Sequence, residues 1–302
     1  MRSHRSTPAS DSTSTDTGAS ATPAAAPGAT RDADPAPAPA PGAAGWALPI
    51  ITVLGVAAAI GAAFIGSGAL GGTPISEAAG GALSADATPI APAGAAFSIW
   101  SVIYLGLAGY ALWQLTPGAR RSPRQHAVRP WALASALLNA AWIWTVQLGW
   151  LAVSVLVIIA LLAVLIRLMF LLGAPRTGGL VETVLADGTF GLYLGWVTVA
   201  FLANTYAWLA DAGVDVVTRI QMGVVGIVVA AAIAVATILL SGGRVAPALA
   251  TSWGIAWVAA GRTEGAYESP ELVWTGVFAV VGVLTVAAGA LRQRTAAERT
   301  AA

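Results

Sequence analysis

Seven side chains able to stack or hydrogen-bond sit inside stretches that are otherwise apolar: Trp100, Tyr104, Asn139, Trp142, Tyr193, Trp196 and Asn204. Leu is cheaper at such positions, because an indole N–H or an amide taken out of water needs a partner. Their spacing gathers them. Trp100 and Tyr104 are i, i+4 and share one face of a helix. Asn139 and Trp142 are i, i+3. Tyr193, Trp196, Ala200 and Asn204 follow at intervals of 3, 4 and 4, one stripe along a helix. Two amides facing stacked aromatics make a pocket for a flat, largely apolar ligand. The competing reading is that Asn139 and Asn204 only join helices by hydrogen bonds. Spacing alone does not separate the two.

Other chemistry is poorly provided for. There is no Cys, which removes disulfides, thiolate catalysis and Cys-bound metals. His4 lies in the N-terminal tail and His126 in a connecting loop, so the helices offer neither common haem ligand. Zinc has no site. No cofactor is required on this reading. A flat ligand would be held by stacking and hydrogen bonding, without axial ligation. Met169 and Met222 lie near span ends and read as packing residues. No Ser-His-Asp set or carboxylate pair lies within the spans, so the expectation is a protein that is not an enzyme. Glu182, Asp187, Asp211 and Asp215 flank the fifth span and read as solvated. With essentially no ionisable group left inside, proton-coupled transport is disfavoured. A net charge of +1 gives no reason to expect nucleic acid as a partner.

The elements that must position the aromatic set are membrane helices. The chain has 302 residues, 57% hydrophobic and 10% charged, against about 25% charged in a soluble domain. Continuous apolar runs long enough to cross hydrocarbon favour helices over a barrel. Eight spans are expected, near 46–71, 95–115, 128–148, 150–172, 189–210, 218–240, 245–261 and 273–291. Residues 1–45 are Ala, Pro, Ser, Thr and Asp with almost no large apolar side chain, and read as a disordered tail. All 15 basic residues are Arg. Arg120, Arg121, Arg124, Arg129, Arg176, Arg244, Arg292, Arg294 and Arg299 fall on one side of the eight-span scheme, leaving Arg219 and Arg262 opposite. By the positive-inside rule this places both termini in the cytoplasm, for a multi-pass protein of the plasma or inner membrane. Arg167 snorkels from the fourth span. Trp46, Trp113, Trp131, Trp150, Trp208 and Trp274 fit interfacial belts; Trp100, Trp142, Trp144, Trp196, Trp253 and Trp257 lie further inside. Trp253 and Trp257 either pack the seventh span on the bundle or extend the pocket, and packing is the better reading. Residues 72–94 form a long Gly- and Pro-containing loop placed as a lid over the aromatic set.

These segments resemble a known family. Tyr193 to Asn204 reads YLGWVTVAFLAN, Leu138 to Trp142 reads LNAAW, and Pro92 to Trp113 reads PAGAAFSIWSVIYLGLAGYALW. In that order they are similar to the motifs of the TspO/MBR family, the translocator or tryptophan-rich sensory proteins. The likeness covers about 46–212, the family's five-helix fold. Pro92-Ala93-Gly94 departs from the family's Pro-Pro with adjacent Trp, and Phe97 sits one residue closer to Trp100 than its pattern. Residues 213–302 add three helices that short members lack, as in a longer bacterial variant. The resemblance implies an all-α integral membrane protein: a five-helix bundle plus about three more transmembrane helices. It implies ligand binding by Trp100, Tyr104, Asn139, Trp142, Trp196 and Asn204, between helices two, three and five.

The expected function is a membrane receptor or sensor for a hydrophobic planar small molecule, porphyrin- or sterol-like. The alternative is a passive facilitator moving such ligands across the bilayer, and less favoured is porphyrin breakdown. Expected partners are the lipid bilayer, that ligand and, through small residues such as Gly61, Gly66 and Gly68, a second copy in a homodimer.

Overall fold

The computed structural model describes residues 43–68, 71, 73–173 and 178–301. The expected tail lies, through residue 42, outside the described residues. Eight long helices follow: α1 (Ala43–Gly66), α2 (Ile99–Trp113), α3 (Pro123–Gln147), α4 (Leu151–Leu171), α5 (Thr189–Asp211), α6 (Ile220–Leu240), α7 (Val245–Ala260) and α8 (Pro270–Ala301). They fall where the eight apolar spans were expected, within a few residues at each end except where α8 runs on. Residues 94–98 lead into α2 as a 3₁₀ turn. Ser122 caps α3, its side chain accepting from the Gln125 N–H, with Pro123 in the first turn where no N–H is needed. Gly149, at φ +72°, turns the chain between α3 and α4.

Six helical segments among the described residues are long and apolar enough to cross a membrane by themselves: α1, α2 with its 3₁₀ lead, α4, α5 with residues 179–188, α6 and α8. The fold is therefore that of an all-α, multi-pass membrane protein. The other two fall short for different reasons. α3 has the length but carries Arg124, Gln125, Arg129 and Asn139, all buried against neighbouring helices. α7 has only 16 residues, about 24 Å of helix. It packs against α5, α6 and α8, so its surroundings are largely protein.

Contacts close α1, α2, α5, α4 and α3 into a ring: α1 touches α2 and α3, α2 touches α5, α5 touches α4, and α4 touches α3. One large apolar core fills the ring, including Ile103, Leu107, Leu161, Leu165, Phe190 and Val197. α6, α7 and α8 build a second group around Ile227, Ile255 and Leu272 and around Ala234, Ala248 and Val283. The groups share α5, which packs against both. Its most apolar window is 67% buried, while the other spans reach at most 39%.

The α5–α7 approach depends on small residues. A methyl at Gly195 would lie 2.1 Å from the Pro247 carbonyl oxygen and 2.9 Å from the Ala250 Cβ. Gly191 meets Ala246 and Pro247, and Gly254 of α7 meets Val199. The Thr251 hydroxyl donates to the Gly195 carbonyl at 3.1 Å. Close backbone approach of this kind replaces the hydrophobic force that lipid does not supply.

Gly195→Ala is expected to destabilise by about 1–3 kcal/mol, as overpacking does, because the obstacle is backbone and not a mobile side-chain tip. Gly61→Ala in α1 meets nothing within 4 Å and is expected to be neutral or stabilising, since Gly in a helix interior costs about 1 kcal/mol against Ala. Thermal unfolding of the two variants in detergent checks the pair.

Candidate functional site

Trp100, Tyr104 and Trp142 line one cavity of about 320 Å³ together with Phe64, Phe97, Ser101 and Ile143. Pro74, Ile75 and Ser76, from the loop after α1, form its cover. Trp100 and Tyr104, one helical turn apart, stack at 5.3 Å with planes 20° apart. Phe64 of α1 tilts onto Tyr104 at 5.7 Å. Behind the stack, Trp100 meets Tyr193 and Trp196 edge-on at 5.7 and 6.2 Å. The result is a flat aromatic wall with its rear face braced by α5.

Polar capacity is sparse and placed. The Asn139 amide donates to the Tyr104 hydroxyl at 2.9 Å. The phenol thus accepts from α3 and keeps its own proton for a second partner on the cavity side. The Asn139 Oδ1 is buried with no partner among the described residues. Ser76 and Ser101 hydroxyls also reach the cavity wall.

Trp196 and Asn204 lie elsewhere. With Trp142, Phe97, Thr88 and Pro92 they line a separate void of about 30 Å³, room for a water or two. The Trp196 indole N–H and the Thr88 hydroxyl are both buried without partners there. Asn204 is satisfied by protein: its Oδ1 accepts from the Trp142 indole N–H at 3.1 Å, and its amide nitrogen donates to the Ser154 hydroxyl at 2.9 Å. That joins α3, α4 and α5, the helix-joining role foreseen as an alternative. The six residues named from sequence are therefore divided. Trp100, Tyr104 and Trp142 face the cavity, Asn139 stands behind Tyr104, and Trp196 and Asn204 face the smaller void. The cavity is bounded by α1, α2 and α3, with α5 behind it rather than lining it. Phe97 separates the two spaces and lies 5.7 Å edge-on to Trp196. Its one-residue displacement from the family pattern places a ring at the partition.

The deep tryptophans also divide by direction. Trp142 and Trp196 face inward, whereas Trp144 is 42% exposed on the outside of the bundle. Trp253 donates its indole N–H to the Ala96 carbonyl at 2.9 Å and meets Trp257 edge-on. Neither residue lines the cavity, so this stripe packs α7 onto the ring.

Two expectations about charge are corrected. Glu182 and Asp187 are buried, not solvated, and the inside of the bundle is not free of ionisable groups. Arg124 of α3 pairs with Glu182 and, at 2.9 Å, with Asp187. Arg244, before α7, reaches the same Asp187 at 2.7 Å. Both guanidiniums also donate to the Leu172 carbonyl at the end of α4. The Gln125 amide donates to Glu182 at 2.7 Å. Residues 183–188 wind as a π-helix, and this wider turn turns both carboxylates toward Arg124. The cause is steric and electrostatic: the ends of α3, α4 and α5 and the α6–α7 connection converge at one end of the bundle. Charges withdrawn from water there must find partners. A hint lay in the sequence, since all four charges map to the same predicted side.

Arg262 was missed as well. It was counted among loop charges, yet its relative exposure is 0%.

A family model described as TSPO-like protein matches residues 50–290. The match runs from α1 into α8 and so includes the three helices beyond the ring. No curated protein and no solved structure matches the chain.

Glu182→Leu is expected to cost about 3–5 kcal/mol, because it strands Arg124 without one carboxylate in a buried site. Asn204→Leu, which orphans the Trp142 indole N–H, is expected to cost about 1–3 kcal/mol. Loss of thermal stability in detergent, larger for the first variant, is the measurement.

Proposed function

Because the chain belongs to the TSPO-like family, we propose that it is a membrane receptor for a hydrophobic planar small molecule. The carrying observation is the cavity of about 320 Å³ walled by the Trp100–Tyr104 stack and Trp142. That volume falls at the lower end of ligand pockets, about 300–1,000 Å³. An aromatic face takes a flat ring by stacking. The Tyr104 hydroxyl, held by Asn139, offers one polar contact that fixes orientation. A porphyrin- or sterol-like ring system has this chemistry, and neither needs axial ligation.

Size has a consequence. A full tetrapyrrole exceeds a space this small, so on this reading one edge enters while residues 74–76 rise or the far edge projects past α1. Among the proposed residues, Trp100, Tyr104 and Trp142 touch the ligand. Asn139 orients Tyr104. Trp196 and Asn204 hold the wall from behind. The inner end of the cavity meets Phe97 and Trp142, beyond which lies the void of about 30 Å³, far too small for such a ligand. That supports binding over passage across the membrane. The arginine bias supports cytoplasmic termini and a cavity on the opposite face.

Titrating tryptophan fluorescence with a free-base porphyrin is the test. Trp100→Ala and Trp142→Ala are each expected to weaken binding about tenfold or more, the scale of a buried aromatic anchor. Trp274→Phe, at an exposed position of α8, is expected to bind as the parent does. Equal affinity in all four proteins would sink the site assignment. In proteoliposomes the expected result is binding without saturable porphyrin flux.

A further inference from the structure

The second half of the loop between α1 and α2 is held by α7 and the α7–α8 connection, not by the ring it covers. Arg262, one residue past the C-cap of α7, is buried inside that loop. Its guanidinium donates to the carbonyls of Ala85 at 2.6 Å, Ala91 at 3.2 Å and Thr88 at 3.3 Å. Three carbonyls from seven consecutive residues converge on one cation, which is how a chain without regular structure satisfies its backbone. Three more bonds tie the same region. The Ala266 N–H donates to the Asp86 carboxylate at 3.0 Å. The Ala93 N–H donates to the Trp257 carbonyl at 3.1 Å. The Trp253 indole donates to the Ala96 carbonyl at 2.9 Å. The Tyr267 ring lies 5.6 Å from the Arg262 guanidinium. Burial pulls the Arg262 pKa below the usual guanidinium value, and Asp86 and Tyr267 oppose that shift.

The residues so held are the ones that separate the ring's interior from outside. Thr88, Ala91 and Pro92 line the inner void, and Gly94 and Phe97 line the cavity. The first half of the loop is tied more lightly: the Gln147 amide donates to the Thr73 carbonyl at 2.9 Å. The half of the roof that leads into Gly94 and Phe97 is therefore clamped by the added helices, and residues 74–76 of the other half complete the cavity's cover.

We infer that the last three helices act as a clamp on the roof of the cavity, with Arg262 as the positioning residue that sets how readily the roof opens to a ligand. This rests on the receptor reading for its ligand arm. Arg262 touches no ligand. It holds residues 85–91, while Trp253 and Trp257 hold residues 93–96, where the wall that carries Phe97 begins. Freeing the clamp leaves the aromatic wall intact and lowers the barrier to entry and exit together. Rates then change more than affinity does.

The experiment uses the full-length protein in detergent, with hydrogen exchange followed by mass spectrometry and porphyrin exchange followed by stopped-flow tryptophan quenching. In Arg262→Ala, exchange across residues 85–96 is expected to rise about tenfold or more, the effect of losing one charge-assisted hydrogen bond. Exchange in α4 stays as in the parent. Porphyrin association and dissociation both accelerate, and the dissociation constant moves far less than either rate. Trp253→Phe keeps an aromatic ring on α7 and removes the indole N–H that bonds Ala96. It is expected to show a smaller effect centred on residues 94–97, and it decides the matter if Arg262→Ala does not fold. Unchanged exchange over 85–96 overturns the clamp. Faster exchange with unchanged porphyrin rates overturns its control of access. If the parent binds no porphyrin, the receptor reading fails, and the exchange data still decide whether the clamp exists.

Discussion

The contact between Gly195 of α5 and the Pro247–Ala250 turn of α7 sets the spacing of everything around it. Lipid gives two helices no hydrophobic reason to meet, so close packing and a few hydrogen bonds must do so. At this contact the backbones approach to the limit that a missing side chain allows. α5 is thereby fixed from outside, and the rest of its surface can present Tyr193, Trp196 and Asn204 to the ring in succession along the helix. Tyr193 donates to the Ser135 carbonyl at 3.0 Å. Asn204 joins Trp142 and Ser154. The Trp100–Tyr104 stack leans on Tyr193 and Trp196. The flat wall of the cavity is a property of α2, but its rigidity comes from α5, and α5 takes its place from α7.

Buried charge follows a second rule that operates at both ends of the bundle. At one end Arg124 and Arg244 share Asp187 and the Leu172 carbonyl, with Glu182 taking the remaining hydrogen bonds. At the other, Arg262 donates from its two terminal nitrogens to three backbone carbonyls instead of carboxylates. Arg suits both settings because its planar fork spreads several donors over separate acceptors. The two clusters differ in what they join. The first ties helix ends to one another; the second ties a helix connection to a long loop. A chain whose basic residues are all Arg has a donor of this geometry at every cationic position.

The helices were legible because an apolar run of about 20 residues has few alternatives in a membrane. Helix α3 was expected as an apolar run at 128–148, although Arg129, Asn139 and Gln147 interrupt it. The aromatic stripe was legible through helical spacing, which says that residues share a face. It does not say which space that face meets. Hence Trp100 and Trp142 line the cavity, while Trp196 and Asn204, on an equally good stripe, turn to a different void. Glu182 and Asp187 were read as solvated, and Arg262 as a loop charge, because residues between spans are usually solvated. Their burial depends on pairings with residues 57 to 177 positions away along the chain, and no local pattern carries that.

The paired use of Asp187 and of the α5 small-residue face bears on how the protein is made. Translation delivers the ring's five helices first, at which point Gly191 and Gly195 line an open groove and Asp187 has yet to meet Arg244. Both are completed only when α6 and α7 have entered the bilayer. Until then the first five helices lack the contacts that Gly191, Gly195 and Asp187 make with α7 and the residue before it. Chain segments normally fold in the order they emerge. Here a late helix completes the early ones: α7, too short to cross the membrane by itself, supplies the partner that the face of α5 was built to meet.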